Sequence, residues 1–181
     1  MDEPRPRLIP VKVPWAIDIL DAHLRMVVSE IAVERTEICF CAKVLVARPT
    51  PSFEQQVIKV TFRGARAARL IPGENDMPFD PLAYDMSAVP SAEGFLKDPS
   101  GSQRRTEEEW LRTGVSLDSG FYQVFPSAWM EELCLDEPEL KHYLAIGRYA
   151  AAEVLAEGWQ WQTAEVRGPA PPWPPDVRVR G

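Results

Sequence analysis

The sequence predicts a single α+β domain that is mainly an antiparallel sheet with a few short helices. Several short stretches alternate apolar and polar residues, which is the pattern of a strand buried on one face. Helical signals are confined to a few short stretches, so regular helices do not separate the strands as they do in a doubly wound parallel fold. A length of 181 residues fits one domain, and 45% hydrophobic with 26% charged residues exclude a disordered chain.

The distribution of the 18 prolines divides the chain. Prolines concentrate in residues 4–14, 72–99 and 169–175. Because proline lacks an N–H and fixes φ, these stretches resist helix and interior strand. We therefore expect an extended arm over residues 1–14, one domain over 15–165 with a long loop at about 72–103, and a proline-rich tail over 166–181.

Four strands are predicted in the first half of the domain. Alternation predicts short strands over residues 15–19 and 37–47, and a longer strand over 56–70 in which Gly64 marks a bulge. Residues 24–33 fit helical spacing as well as a strand, and their valines and isoleucines favour the strand.

The second half of the domain mixes short helices with strands. Thr106 is a candidate N-cap of one helix, and Ser127 of another that runs through Leu135 and places Trp129 in the core. Residues 121–125 read as a strand. His142 begins one further strand and residues 152–157 form the next, joined near Gly147, with alternation continuing after Gly158.

Charge and targeting signals restrict the partners and the compartment. A net charge of −7 argues against nucleic acid or an anionic membrane as a partner. The charged, proline-containing start is unlike a secretory signal, and no apolar run is long enough to span a membrane. The odd count of three cysteines, with Cys39 and Cys41 expected as buried structural residues, fits the reducing cytoplasm.

No metal, cofactor or catalytic residue is predicted. The two histidines, His23 and His142, have no neighbouring ligands at the spacing of a zinc site. Three arginines follow a predicted strand without the glycine-rich loop of a phosphate site, so a solvated edge is the expected role of Arg63, Arg66 and Arg69. His142 and Glu153 fall on neighbouring strands and can pair across a hairpin, either as a structural pair that fixes the register or as part of a site.

Two features are candidate binding elements. The first is an acidic run that is either a plain solvated face or a docking surface for a basic partner, and it consists of Glu131, Glu132, Asp136, Glu137 and Glu139. The second is Trp173, which lies among the prolines of the tail. It either packs back onto the sheet or anchors a partner.

Short segments carry a family resemblance over about residues 58–160. VTFRGARA at 60–67, VFPSAW at 124–129, KHYLAI at 141–146 and EVLAE at 153–157 resemble segments of small bacterial proteins that are similar to immunity proteins of polymorphic toxin systems. The resemblance implies a non-enzymatic protein that neutralises a cognate toxin by direct binding. The acidic run predicts that this toxin is basic at the contact surface. The resemblance carries over no catalytic residues.

Two other functions stay open from the sequence. One is a small hydrolase or transferase with a cleft near the central loop, in which His142 or an acidic residue acts as the base. The other is a homo-oligomeric accessory protein.

Overall fold

The computed structural model describes residues 5–17, 24–28, 35–46, 51–73, 80, 83–89 and 99–164. This part is mainly antiparallel sheet with two helices, which confirms the predicted class at that level. The elements are β1 (Arg7–Pro10), β2 (Trp15–Ile17), β3 (Arg25–Val28), β4 (Arg35–Val46), β5 (Ser52–Arg63), β6 (Ala67–Pro72), α1 (Pro99–Thr113), β7 (Phe121–Phe125), α2 (Ala128–Glu132), β8 (Lys141–Ile146), β9 (Ala150–Ala156) and β10 (Gly158–Thr163).

The strands form two antiparallel sheets. The first sheet has the order β1-β7-β8-β9-β6, and the second has the order β10-β5-β4-β2, with β3 also paired to β4. The β4–β5 hairpin is the longest pairing, with Arg35 opposite Arg63 at one end and Val46 opposite Ser52 at the other. Along β4 the buried side chains alternate with half-buried ones. Cys39 and Cys41 lie on the half-buried side, so the expectation that they are buried is wrong.

An aromatic cluster packs the two sheets against each other. The ring of Phe121 in the first sheet lies 5.9 Å from Trp15 and 6.2 Å from Phe62, both in the second sheet. Tyr143 stacks on Phe121 at 5.8 Å, and Trp159 meets it edge-on at 5.3 Å. Large aromatic side chains provide most of the buried area at such a contact, so this cluster is the centre of the core.

The chain passes from one sheet to the other twice at the same corner. β5 ends at Arg63 and β6 begins at Ala67, while β9 passes into β10 at Glu157. Backbone hydrogen bonds join the two bends, from Arg66 N–H to Leu155 O at 2.8 Å and from Glu157 N–H to Arg63 O at 3.1 Å. The predicted strand over 56–70 is therefore two strands, which separate at the glycine that was predicted to be a bulge.

Gly64 at this corner has a φ of +57°, a conformation that side chains rarely adopt. A Cβ added there would also overlap the end of the Glu157 side chain, which would have to move away. Gly114 offers a matched control, because its φ is +77° but nothing lies within 4 Å of an added Cβ.

Gly64→Ala is expected to destabilise the protein more than Gly114→Ala. We expect the free energy of unfolding to fall by about 1 kcal/mol for Gly114→Ala, from backbone strain alone, and by about 2 kcal/mol for Gly64→Ala, where the strain adds to the contact with Glu157. Urea denaturation measures both. Equal losses would show that the corner is not closely packed, and adding Glu157→Ala to Gly64→Ala should recover the difference.

The outer face of each sheet carries a second layer. On the second sheet, α1 packs Trp110 against Phe53 with ring centroids 4.7 Å apart, and Lys43 pairs with Glu107 at 2.8 Å. On the first sheet, residues 83–89 cover an apolar patch that consists of Leu8, Tyr122, Val124, Leu144 and Ala151. The first helix begins at Pro99, because proline is favoured in the first turn, so Thr106 lies inside the helix and the prediction that it is the N-cap is wrong.

Several other predicted elements lie where the sequence places them. β3 confirms the strand interpretation of residues 24–33 over its described part. Ser127 is the N-cap of α2, and the β8–β9 turn closes with a hydrogen bond from Gly147 N–H to Ala150 O at 3.0 Å. Residues 7–10 of the predicted arm pair with β7, and the tail lies outside the described residues. Within the described ranges, neither helix has the length and apolar character needed to cross a membrane.

Candidate functional site

Polar side chains from five parts of the chain meet on the outer face of the first sheet, beside the apolar patch. We call them the polar cluster, and they are Arg69, Tyr84, Ser127, His142 and Glu153. Strand register explains the meeting, because Arg69 on β6 lies directly opposite Glu153 on β9. Leu144 is the residue of β8 opposite Glu153, so His142 is its diagonal neighbour on the same face.

Ser127 and His142 join α2 to the sheet. The Ser127 hydroxyl lies 2.9 Å from Nδ1 of His142 and accepts a hydrogen bond from the backbone N–H of Met130 at 3.1 Å. Because the hydroxyl oxygen already accepts from Met130, its own proton is free to be donated to Nδ1. The ring then carries its proton on Nε2, which faces Glu153. Nε2 lies 3.4 Å from Oε1 of Glu153, which is long for a hydrogen bond but close enough for electrostatic attraction.

Glu153 is the charged centre of the cluster, with 1% of its surface exposed. Arg69 Nε donates a hydrogen bond to Oε2, and the Tyr84 hydroxyl faces Oε1 at 3.5 Å, also long for a hydrogen bond. Burial raises the pKa of Glu153, but the facing N–H groups of His142 and Arg69 outweigh burial and lower it overall. Burial and the Glu153 charge raise the pKa of Tyr84 to about 12. At neutral pH, Glu153 is therefore anionic and Tyr84 is a neutral donor.

Trp129 is half-buried, so the prediction that it lies in the core is wrong. Its ring meets the His142 ring edge-on at 5.5 Å, and the Arg69 guanidinium lies over the ring with Cζ 4.2 Å from the centroid. The short helix α2 lies on the outer face of the first sheet, where it cannot reach the space between the sheets. Trp129 instead links α2 to the rim of the polar cluster.

The row Ser127–His142–Glu153 has the residue types of a hydrolytic triad but not the exposure of one. A nucleophilic serine must reach a substrate carbonyl, whereas Ser127, His142 and Glu153 are 7%, 4% and 1% exposed. The Ser127 oxygen is also engaged as the N-cap of α2. The predicted pairing of His142 with Glu153 is confirmed. The arrangement is suited to fastening α2 and fixing strand register.

The acidic segment, residues 131–139, begins in the last two residues of α2. Four of its five predicted binding carboxylates are exposed, namely Glu131, Glu132, Asp136 and Glu139. The fifth, Glu137, accepts hydrogen bonds from Arg66 Nε at 3.2 Å and from an Arg66 terminal nitrogen at 3.1 Å. The segment is therefore held at its start by Ser127 and near its end by Arg66. Trp173 lies outside the described residues.

Sequence reasoning missed two members of the polar cluster, Arg69 and Tyr84. Arg69 was grouped with Arg63 and Arg66 as one solvated edge, but the corner at Gly64 puts Arg63 and Arg69 in different sheets. Treating residues 67–72 as a separate strand would have placed Arg69 opposite a residue of another strand. Tyr84 carried no signal, because it lies in the segment that was predicted to be a long loop.

Comparisons with protein-family models, with curated proteins and with solved structures find no match to this chain. Among the described residues, no group of three or more His, Cys, Asp or Glu side chains is placed to hold a metal ion. The structure offers two candidate functional features. They are the polar cluster, which fastens a short helix, and the exposed acidic segment that begins at the end of this helix.

Proposed function

We propose that this chain is a non-enzymatic binding protein of the immunity type, which neutralises a bacterial toxin in the cytoplasm by direct contact. The observation that carries the proposal is the acidic segment, with four exposed carboxylates on a stretch fastened at two points. A surface that is ordered before binding loses little conformational freedom on association, which favours affinity. The toxin is basic where it meets this segment, because complementary charge accelerates encounter.

Among the described residues, the carboxylates of α1 fit this role less well. Carboxylates on α1 are drawn into pairs within the protein, as Glu108 is with Arg104 and Glu109 is with Arg112. On the acidic segment, Glu137 is paired in the same way with Arg66, while the other four carboxylates are exposed. The net charge of −7 supports a basic protein partner over nucleic acid or an anionic membrane.

Charge reversal on the acidic segment is expected to slow association without unfolding the protein. The variant is Glu131→Lys with Glu132→Lys and Glu139→Lys, which spares Glu137 because it fastens the segment. Glu108→Lys on α1 is the control, since Glu108 is exposed and its contact with Arg104 within one helix contributes little to stability. With the protein encoded immediately upstream as the probe, we expect the association rate at low salt to fall by about 10-fold or more for the triple variant.

Salt provides the second readout of the same experiment. The wild-type association rate should fall as salt is raised, because screening weakens attraction between exposed charges, and the triple variant should lose most of this dependence. An association rate that is equal for wild type, triple variant and control at all salt concentrations would refute the proposal.

A further inference from the structure

Trp129 and Leu133 present an apolar strip beside the acidic segment. The Leu133 N–H donates to the Trp129 carbonyl at 3.1 Å, so the two residues lie one helical turn apart on the same side of α2. Leu133 is 44% exposed, and Trp129 is half-buried. Single exposed leucines are common on protein surfaces, so exposure of Leu133 alone does not indicate a binding site. The neighbouring polar cluster and acidic segment are what distinguish this strip.

Contacts with the polar cluster hold the Trp129 end of the strip in place. The Arg69 guanidinium lies over the Trp129 ring and is held by Glu153 through Nε. The His142 ring meets the Trp129 ring edge-on at 5.5 Å. The Arg69 side chain remains 44% exposed, and the Glu153 carboxylate balances its charge. Tryptophan and arginine are the residue types most enriched where binding energy concentrates, and rigid side chains lose the least entropy on binding.

We infer that Trp129, Leu133 and Arg69 form the energetic centre of the partner-binding surface, with the exposed carboxylates of the acidic segment as its rim. This inference rests on the proposed function and adds the chemistry of the partner's contact. The partner is a protein that presents an apolar pocket bordered by lysine or arginine side chains. Glu132 is three residues after Trp129 and so lies on the same side of α2 as the strip, which places the partner's cations close to the pocket edge.

The experiment compares two leucines of equal exposure. Leu133→Ser removes the apolar strip, and Leu111→Ser on α1 is the matched control, since Leu133 is 44% and Leu111 43% exposed. The probe is again the protein encoded immediately upstream, and the readout is the dissociation rate. We expect an increase of about 10-fold or more for Leu133→Ser, with the control within about twofold of wild type, because losses at the centre of an interface act mainly on dissociation.

Arg69→Lys provides a second variant that keeps the charge but loses the planar group over Trp129. We expect it also to dissociate faster, with thermal unfolding used to verify that it remains folded at the assay temperature.

The outcomes separate the inference from the proposed function. If charge reversal slows association but Leu133→Ser dissociates as slowly as Leu111→Ser, the inference is wrong and the acidic surface stands. If neither charge reversal nor salt changes the association rate of a complex that does form, or if no complex forms, the proposed function is wrong and the inference falls with it.

Discussion

Phe121→Ala is expected to lower the free energy of unfolding by about 3–5 kcal/mol, as truncation of a buried aromatic does. Phe121 is 1% exposed and its ring contacts aromatic residues of both sheets. Removing it leaves a cavity that the surrounding strands cannot close, because their backbones are fixed by pairing. Chemical denaturation gives the loss directly.

Phe125 provides the control on the same strand. It is 64% exposed at the end of β7, so Phe125→Ala is expected to change stability by less than about 0.5 kcal/mol. Similar losses for Phe121→Ala and Phe125→Ala would contradict the packing of the two sheets around Phe121.

Glu153→Ala is expected to cost about 3 kcal/mol, the lower end of the range for breaking a buried ion pair, because the half-exposed Arg69 can regain water. Without the carboxylate, the Tyr84 hydroxyl and His142 Nε2 lose the acceptor that they face. Glu139→Ala removes an exposed carboxylate and is expected to cost less than about 0.5 kcal/mol. If Glu153→Ala is as stable as Glu139→Ala, the polar cluster does not stabilise the fold.

The contribution of Glu153 to the free energy of unfolding should also decrease at low pH. Its pKa is lowered in the folded protein from an ordinary value of 4.5. Ionised Glu153 therefore stabilises the fold at pH values above its pKa in the unfolded chain. This stabilisation is lost as the pH falls through its pKa in the folded protein. The stability difference between wild type and Glu153→Gln should stay constant near neutral pH and shrink as the pH is lowered below the ordinary value of 4.5. A difference that grows or stays constant below that value would contradict the charge balance assigned to the cluster.

Local pattern predicted the strands better than their arrangement. Alternation in β4 and β5 is strong because one face of each packs against the other sheet, and a period of two residues records this burial directly. The same pattern contains no information about which sheet a strand joins. The break at Gly64 was therefore visible as a bulge, but not as the corner where β5 leaves one sheet and β6 enters the other.

Helix boundaries and the Trp129 position failed for related reasons. Residues 99–105 are polar and include glycine and serine, so the first half of α1 gives no apolar periodicity, and the buried Trp110 lies in the second half. Trp129 was assigned to the core because it begins an apolar stripe. A helix of five residues on an outer face, however, buries only part of such a stripe.

The candidate site was predictable where sequence neighbours are also spatial neighbours. His142 and Glu153 lie on strands joined by a tight turn, so their pairing follows from the hairpin alone. The link from Ser127 to His142 and the ion pair from Arg69 to Glu153 connect residues 15 and 84 positions apart. These contacts depend on how the elements dock, which a single sequence does not specify.

The most direct test of the account compares the association rates of two folded variants with the protein encoded immediately upstream. One variant carries Glu131→Lys, Glu132→Lys and Glu139→Lys, and the other carries His142→Ala, each verified to be folded by circular dichroism. We predict slow association for the charge-reversed variant and a near wild-type rate for His142→Ala, because His142 is 4% exposed and acts within the fold. Wild-type association by the charge-reversed variant, together with loss of function in folded His142→Ala, would contradict the binding-surface account and favour a catalytic role for the Ser127–His142–Glu153 row.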